Sequence, residues 1–598
     1  MRSSHMFVFF ASIFMPVLNS SCDIQGDDRG ADFEILSQLS AAASRIELRG
    51  TGPESYAARR EHYIDACLAN QPGHKSNLVL QAYRGLPLNV AELQKKIDTV
   101  FANNGGSDFE LSDLVRILYL GPGYYEEAIK NAAAGFRFWL TKGDKNHVWW
   151  SENHAILFMS SHWLLSERYG WRGYDFEHLR TRLKQWLTLK TSYGYYEFYS
   201  KVYMPYSLAG VLNLADFAQD QEIAALAKQA AQRLLRDLLM MTNDQGTAYS
   251  VAGRDYWRVG LRAYGHNHNR LIYLLTGAGQ ESDISPSQGG VMLATSSLDV
   301  SGVYTYWGVP MNTRIDLGHP LSSIDSINAS LTSDDKIIFH WNAGAYFSPD
   351  QAASSKALVD KYDWWENGQF AEYKGFKGVS PALVGSLAGT MAPLVRGSVL
   401  ASAAVNIYKN GSTLLTSLEK WNQGRKGYQS IPWIATTGKN AVWTVSGRGR
   451  SLPGEGDGCE NNGLPYITQS GNVALMQYHA EAVVKAAGNA EVLLYWPSTG
   501  WDENIRSGKW NIGREGDSYL AVRAYTDQTT PGGDRWCDSD YQAWVVVVGN
   551  QATHGSFAAF VSMIQAASIT NEMEWHGWTR KFASRLKVDG KSLWLIFP

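Results

Sequence analysis

Residues 222–241 read EIAALAKQAAQRLLRDLLMM, and this stretch decides the fold class of the first half of the chain. Its apolar residues recur every three or four positions, as at Ile223, Leu226, Leu234 and Leu238. This spacing is typical of an amphipathic helix with one buried face. The stretch therefore predicts a long helix that packs on others.

The same spacing extends outward over about residues 33–280. It predicts further helices at 33–48, 54–69, 90–102, 108–119, 123–141, 152–169, 175–189 and 204–218. The connections are short and contain turn formers, as in Gly121-Pro122-Gly123. So many consecutive helices favour a bundle, a solenoid or an α/α toroid.

After about residue 285 the pattern changes to short alternating or β-branched runs. It predicts strands at Lys336–Trp341, Ala441–Ser446, Ala490–Trp496 and Ala543–Val548. We place the boundary at Ser285-Pro286-Ser287, with a helical domain at 23–284 and an antiparallel β-sandwich domain at 285–598. The fold class is thus multidomain, α then β.

Composition excludes several classes of protein. The 598 residues are 45% hydrophobic and 19% charged, which fits neither a disordered chain nor a polytopic membrane protein. The net charge of −3 argues against general nucleic-acid binding, which needs a basic excess. With 22 Trp and 31 Tyr, the chain is rich in rings that stack on sugars, although a large β-rich core also collects them.

Residues 1–22 are predicted to be a secretory signal peptide, with Arg2 before the apolar run 7–18 and small residues before Cys22. The run is too short to span a membrane. We therefore expect a secreted or periplasmic protein without a membrane span. A lipid anchor on Cys22 is an alternative, although Asn19 stands where lipoprotein signals usually carry an aliphatic residue.

The remaining cysteines are Cys67, Cys459 and Cys537, and an odd number leaves at least one unpaired. A Cys459–Cys537 disulfide is left open, and the spacing matches no zinc motif. We expect no cofactor; a structural divalent metal is not identifiable from the sequence, and the oligomeric state is left open.

The densest chemical cluster is residues 149–154, WWSENH, at a predicted helix start. Capping accounts for Ser151 as N-cap. It does not account for Asn153 and His154 behind two tryptophans. An amide that holds a carboxylate and a base that titrates near neutral pH fit a catalytic pair, with Trp149 and Trp150 as substrate platforms.

Residues 193–203, YGYYEFYSKVY, form a second cluster that places five tyrosines before a helix. Tyr203 is a candidate acid or base, and Tyr196 and Glu197 are candidate substrate-binding groups. The competing interpretation is that these tyrosines only pack.

Residues 253–256, GRDY, contain two further candidate groups. The planar guanidinium of Arg254 can bind a carboxylate through two hydrogen bonds, and the phenol of Tyr256 lies two residues later. A structural Arg254–Asp salt bridge is the alternative. Residues 266–270, HNHNR, carry His266 and His268, which suit sugar contact better than a metal because no third ligand is identifiable.

These motifs, in this order, resemble the secreted bacterial polysaccharide lyases that join an α/α toroid to a C-terminal antiparallel β-sheet domain. Residues 427–433 and 461–465 also resemble pieces of their relatives. The resemblance implies Asn153 as the group that neutralises a uronate carboxylate and His154 as the base. It further implies Tyr203 as acid or base, with Arg254 and Tyr256 stabilising charge. The predicted helical region is shorter than the longest toroids, which favours an incomplete ring with an open cleft.

The resemblance implies an anionic polysaccharide as substrate and β-elimination as reaction. The low net charge favours an unsulfated uronan. A toroid glycoside hydrolase using Glu152 and Glu197 is one alternative. A non-catalytic glycan-binding surface protein is the other. The β domain is expected to line one wall of the cleft, and its scattered histidines to be structural or exposed; they are His319, His340, His479 and His554.

Overall fold

The computed structural model describes residues 55–171, 176–253, 263–318, 330–342, 351–390, 402–421, 431–446, 464–479, 492–523, 533–536 and 541–596. The predicted signal peptide with Cys22, the helix predicted at 33–48, and Cys459 and Cys537 lie outside these residues. Cys67 is a buried free thiol.

Helices dominate the first part of the described chain, as the sequence predicts. They are α1 (Tyr56–Asn70), α2 (Asn77–Tyr83), α3 (Val90–Ala102), α4 (Ser107–Leu120), α5 (Glu126–Ala134), α6 (Glu152–Tyr169), α7 (Phe176–Tyr193), α8 (Tyr203–Phe217), α9 (Gln221–Met240), α10 (Asn267–Thr276), α11 (Gln288–Ala294), α12 (Ser333–Asn342), α13 (Ala352–Tyr362) and α14 (Pro381–Thr390). The helix predicted at 123–141 is shorter, because it ends before Gly135, a poor helix former.

Helices α4, α6 and α8 lie side by side and run in the same direction. At one end the ring of Phe109 contacts those of His154 and Tyr206, which joins the first turns of all three helices. At the other end Tyr119 donates to the Leu164 carbonyl and stacks on Phe217. Their N-termini therefore share one edge of the helical region.

A buried arginine holds this helix layer together. The Arg116 guanidinium of α4 donates to Asn213 at 3.0 Å and Asp216 at 2.8 Å, both on α8, and to Thr295 after α11. A buried cation is tolerated only where its donors are satisfied. This network therefore fixes α4 against α8.

Strands dominate the second part. They are β1 (Met311–Gly318), β2 (Ser402–Asn410), β3 (Thr413–Trp421), β4 (Trp433–Thr437), β5 (Ala441–Ser446), β6 (Tyr466–Ser470), β7 (Val473–His479), β8 (Val492–Tyr495), β9 (Glu503–Ser507), β10 (Trp510–Glu515), β11 (Ser518–Arg523), β12 (Gly533–Trp536), β13 (Tyr541–Asn550), β14 (Ser568–His576), β15 (Thr579–Val588) and β16 (Lys591–Ile596). Two short helices, α15 (Gln551–His554) and α16 (Phe557–Gln565), precede β14.

The strands pair antiparallel in three sheets, ordered β1-β2-β3-β4-β5-β8-β12, β6-β7-β13-β11-β10-β9 and β14-β15-β16. Residues such as Trp433 and Trp544 from the first two sheets share one buried core. The other face of the six-stranded sheet packs on α16 and the third sheet, as Phe560 and Leu586 show.

The helical region followed by antiparallel sheets is confirmed, whereas closure into a toroid and a sandwich stay predictions. The strand predicted at Lys336–Trp341 is wrong, because these residues lie in α12. Ile338, Phe339 and Trp341 are buried there, and the acidic Asp334 and Asp335 lie in the first turn of the helix. Since helices occur on both sides of residue 285, the domain boundary there stays a prediction.

The helical region and the sheets are joined by a buried lysine. Nζ of Lys409, on β2, donates to the carbonyls of Leu239 and Tyr306, both at 2.9 Å. Burial lowers the pKa of Lys409 to about 8.

Candidate active site

The candidate site is built on the common N-terminal edge of α4, α6 and α8. Asp108 lies in the first turn of α4, Asn153 and His154 in the first turn of α6, and Tyr203 begins α8. Backbone N–H groups at such ends lack helical partners and carry partial positive charge. The edge can therefore stabilise negative charge that develops on a bound group.

His154 is oriented by Asp108. Its Nδ1 lies 2.7 Å from Oδ2 of Asp108, and both side chains are buried. Because a carboxylate accepts, Nδ1 carries the proton and Nε2 is the basic nitrogen. The pair can thus act as a general base.

Asn153 is held by Glu197. Its Nδ2 donates to Oε1 and Oε2 of Glu197, at 3.0 and 2.9 Å, and both residues are fully buried. The side-chain nitrogen of Asn153 is therefore the atom that faces the Glu197 carboxylate. The other amide atom, Oδ1, is left as an acceptor.

Glu152 supports the loop that follows α7. It forms a fully buried ion pair with Lys190 and accepts from the backbone N–H groups of Tyr196 at 3.1 Å and Glu197 at 2.5 Å. With both oxygens engaged, Glu152 is a scaffold for Glu197.

Three buried acceptors around His154 have no hydrogen-bond partner within the described part of the chain. They are Oδ1 of Asn153, Oγ of Ser151 and Oδ1 of Asp108. Ser151 occupies the N-cap position of α6, as predicted, but its side chain makes no capping bond. Buried polar groups are nearly always satisfied, so each exception calls for an explanation. A ligand that carries hydroxyl groups would supply the missing donors.

Segment 250–253 connects this site with the sheets. Thr416 of β3 accepts from the backbone N–H of Val251 at 2.9 Å, and Ala252 pairs with Ile431 through two backbone hydrogen bonds. The N–H of Gly253 donates to the Phe198 carbonyl at 2.9 Å. The β region therefore reaches the loop that carries Glu197.

Gly253 lies where only glycine fits. A Cβ there would lie 2.5 Å from the Tyr196 carbonyl oxygen and 2.8 Å from the Phe198 ring. Arg254 and Tyr256, the next candidates along the chain, lie outside the described residues, and their roles stay predictions.

Tyr203 lies on the same side of α8 as Tyr206, one turn earlier, and its N–H donates to Ser200 Oγ at 3.1 Å. Since the Tyr206 ring contacts Phe109, and Phe109 contacts His154, the start of α8 is next to the His154 site. A proton-transfer role for Tyr203 stays a prediction.

The predicted substrate-binding rings are buried. Trp149 stacks on Trp364 with ring centroids 4.6 Å apart and contributes to the aromatic core. Trp150 and Tyr196 are also buried. All three expose little ring surface, and substrate contact by them stays a prediction.

His266 and His268 lie at the start of α10, and both are buried. Burial, with the charge of Lys201, lowers the pKa of His268 to about 3, so its ring is neutral and packs edge-on against Tyr199 at 4.7 Å. Contact of either histidine with a substrate stays a prediction.

Sequence reasoning missed Asp108, Phe109 and Lys190. Asp108 follows Asn104-Gly105-Gly106-Ser107 at a helix start, a pattern that capping alone accounts for. Nothing local indicates that its partner is His154.

No cluster of three His, Cys, Asp or Glu suited to a metal ion occurs among the described residues. In the same part of the chain, no helix combines the length and apolar character needed to cross a bilayer.

No protein-family model matches the chain, and no curated protein matches it by sequence. Solved structures with some likeness include heparinase III, at 9% identity and a TM-score of 0.24, covering 95% of this chain and 100% of that one. A chondroitin AC lyase from Streptomyces coelicolor A3, in complex with chondroitin sulphate, has 10% identity and a TM-score of 0.34, with 89% and 88% covered. A mutant heparan sulfate lyase from Pedobacter heparinus has 8% identity and a TM-score of 0.20, with 92% and 85% covered. TM-scores this low establish neither a shared fold nor a shared activity.

Proposed function

We propose that this protein cleaves a uronate-containing polysaccharide by β-elimination. The observation that carries the proposal is the Asp108–His154 pair, which leaves Nε2 as the basic nitrogen in the same helix turn as the unpartnered Oδ1 of Asn153. A base next to an acceptor, at an edge of positive helix ends, suits removal of a proton next to a carboxyl group.

In the proposed reaction, Nε2 of His154 removes the proton from C5 of the uronic acid. The electron pair of the C5–H bond forms the C4–C5 double bond, and the C4–O bond breaks. The Tyr203 hydroxyl gives its proton to the leaving oxygen. The products are a shortened chain with a free hydroxyl and a chain that ends in an unsaturated uronate.

Asn153 makes the C5 proton acidic enough to remove. The nearby Glu197 carboxylate favours binding of the substrate carboxyl group in its protonated form, which donates to Oδ1. Glu197 also polarises the amide through Nδ2. The negative charge that grows on the carboxyl group in the transition state is stabilised by the three helix N-termini. The helices thus favour the transition state over the ground state.

The hydrolase alternative finds no support in this geometry. It needs Glu152 and Glu197 as acid and base, but Glu152 is engaged by Lys190 and two backbone N–H groups. Glu197 in turn accepts from Asn153. We retain an unsulfated uronan as the proposed substrate, because the chain carries no basic excess.

The decisive experiment incubates the protein with alginate, polyglucuronate and hyaluronan and follows ultraviolet absorbance of the unsaturated product. Elimination raises absorbance and reducing ends together, and His154→Ala abolishes both. Reducing ends without absorbance would establish hydrolysis and overturn the proposal. Binding without either signal would establish a glycan-binding protein.

A further inference from the structure

The third sheet, β14-β15-β16, carries exposed tryptophans that the candidate active site does not use. Trp578 at the β14–β15 turn is 98% exposed, Trp575 beside it is 70% exposed, and Trp594 on β16 is 53% exposed. Large rings that remain in water cost free energy, and such patches mark interaction sites. Trp575 pairs with Arg580 and so lies on the same face of the sheet as Phe582. We call the other two, Trp578 and Trp594, the tryptophan surface.

The register separates the two faces of this sheet. Phe582, Leu586 and Val588 of β15 are buried, and the last two pack against the six-stranded sheet. Lys581, Arg585 and Lys587 alternate with them and point outward, and Trp594 lies directly opposite Arg585. Trp594 is therefore on the outward face, among charged groups.

Polar groups around Trp594 are held in place. The Arg585 guanidinium lies 5.3 Å from the centre of the Trp594 ring and forms ion pairs with Glu572, at 2.6 Å, and Glu574. The His576 ring centroid lies 6.2 Å from that of Trp594. Fixed donors and acceptors beside an indole match a sugar ring, whose flat C–H face stacks while its edge presents hydroxyls.

The charged residues of the third sheet indicate which class of sugar polymer it would bind. Residues 568–596 contain five Lys and Arg against three Asp and Glu, in a chain whose net charge is −3. Within the described residues, Lys581 and Lys587 form no ion pair. These two lysines are available to the carboxylates of an acidic polymer.

We propose that the tryptophan surface is a second, non-catalytic binding site for an anionic polysaccharide. The nine residues of β14 extend about 30 Å, which accommodates several sugar units between Trp578 at the turn and the far end of the sheet. The identity of the polymer rests on the proposed function, whereas the existence of the surface does not.

The test is native affinity electrophoresis in gels that contain alginate, polyglucuronate or hyaluronan, with uncharged dextran as the comparison polymer. All proteins carry His154→Ala, so that the polymer stays intact. We expect retardation by at least one acidic polymer and an increase in Kd of about tenfold or more for Trp578→Ala/Trp594→Ala. Tyr124→Ala removes a ring that is 74% exposed on the helical region and should leave retardation unchanged.

With His154 intact, the double tryptophan variant should keep its kcat on short oligosaccharides. If no elimination occurs at all, retardation still reports on the surface, so the two proposals fail separately. The surface proposal is overturned if no acidic polymer retards the protein, if the double variant is retarded like its parent, or if dextran retards it equally. If the parent protein sediments with phosphatidylglycerol vesicles and Trp578→Ala does not, the surface binds a membrane and the proposal is overturned. If the parent protein is a dimer and Trp578→Ala is not, the surface joins two copies of the chain, which also overturns the proposal.

Discussion

Nδ1 of His154 lies 2.7 Å from Oδ2 of Asp108, a residue 46 positions earlier on a neighbouring helix. The two first turns are held together by the Phe109 ring, which contacts that of His154 at 4.9 Å. A histidine fixed through one nitrogen has a defined tautomer and direction. Asp108 is therefore a positioning residue for the proposed base.

Replacement of Asp108 by Asn tests this relationship. Asp108→Asn keeps the size of the side chain but removes the charge that stabilises protonated His154, so kcat should fall about 10²-fold or more. The pH profile of kcat/KM should also change, which a purely structural defect would not cause. Asp98→Asn, an exposed substitution on α3, is the control. An unchanged pH profile in Asp108→Asn would exclude the positioning role.

Tyr203→Phe keeps the ring and its packing but removes the transferable proton. Turnover should fall about 10²-fold or more with little change in KM, because the hydroxyl acts mainly in the transition state. Initial rates on one polymer measure both constants. Near-normal turnover would assign the acid to another residue, with Tyr256 the next to test.

The two buried glutamates should respond differently to neutralisation. Glu152→Gln removes the buried carboxylate that forms an ion pair with Lys190, and should cost about 3–5 kcal/mol of unfolding free energy. Glu197→Gln weakens polarisation of Asn153, and should lower kcat more than stability. Denaturant unfolding and rate measurements separate the two effects.

The matched control is Glu152→Gln/Lys190→Met, which removes both charges and should recover much of the lost stability. If Glu152→Gln instead abolishes turnover at full stability, while His154→Ala and Tyr203→Phe stay active, the paired-carboxylate hydrolase replaces the elimination scheme.

Gly253→Ala places a methyl group within 2.5 Å of the Tyr196 carbonyl oxygen. The loop that carries Glu197 must then shift, so both activity and stability should decrease, the latter by about 1–3 kcal/mol. Gly73→Ala, where a Cβ meets no atom within 4 Å, should be neutral. Equal melting temperatures for both variants would contradict the close approach.

Asp283 gives a pH dependence of stability with a definite sign. It accepts from the N–H groups of Gly265 and Gln280, and burial raises its pKa from 3.8 to about 6 against the opposing effect of these bonds and of Arg270. The folded state therefore binds more protons than the unfolded state between these values. The associated stability, about 3 kcal/mol, is present below pH 3.8 and is lost as pH rises through 6.

Asp283→Asn should remove this dependence. The unfolding free energy of the parent minus that of the variant, measured from pH 4 to pH 7, should decrease as pH rises. Because both proteins share the other titrating groups, the difference isolates Asp283. A difference that stays constant with pH would contradict the raised pKa.

The sequence predicted most helices within a few residues because their signal is local, as in 222–241, which forms α9. Two of the helix starts that carry the candidate site were also predictable, since capping and periodicity mark Glu152 and Tyr203. The pairing of His154 with Asp108 and of Asn153 with Glu197 was not, because each joins residues more than forty positions apart. The short apolar run at Lys336–Trp341 fits the periodicity of a helix as well as that of a strand. Packing of Ile338 and Trp341 in the interior selects the helix.

The hydrogen bonds of Val251 and Ala252 to Thr416 and Ile431 have a consequence for the order of events during synthesis. The ribosome must add 165 further residues after Val251 before its acceptor Thr416 exists. A nascent chain that already contains Asp108, Asn153, His154 and Tyr203 still lacks the strands that hold the loop beside Glu197. If the proposed function holds, we expect unfinished chains to be inactive on polysaccharide until the C-terminal sheets have folded.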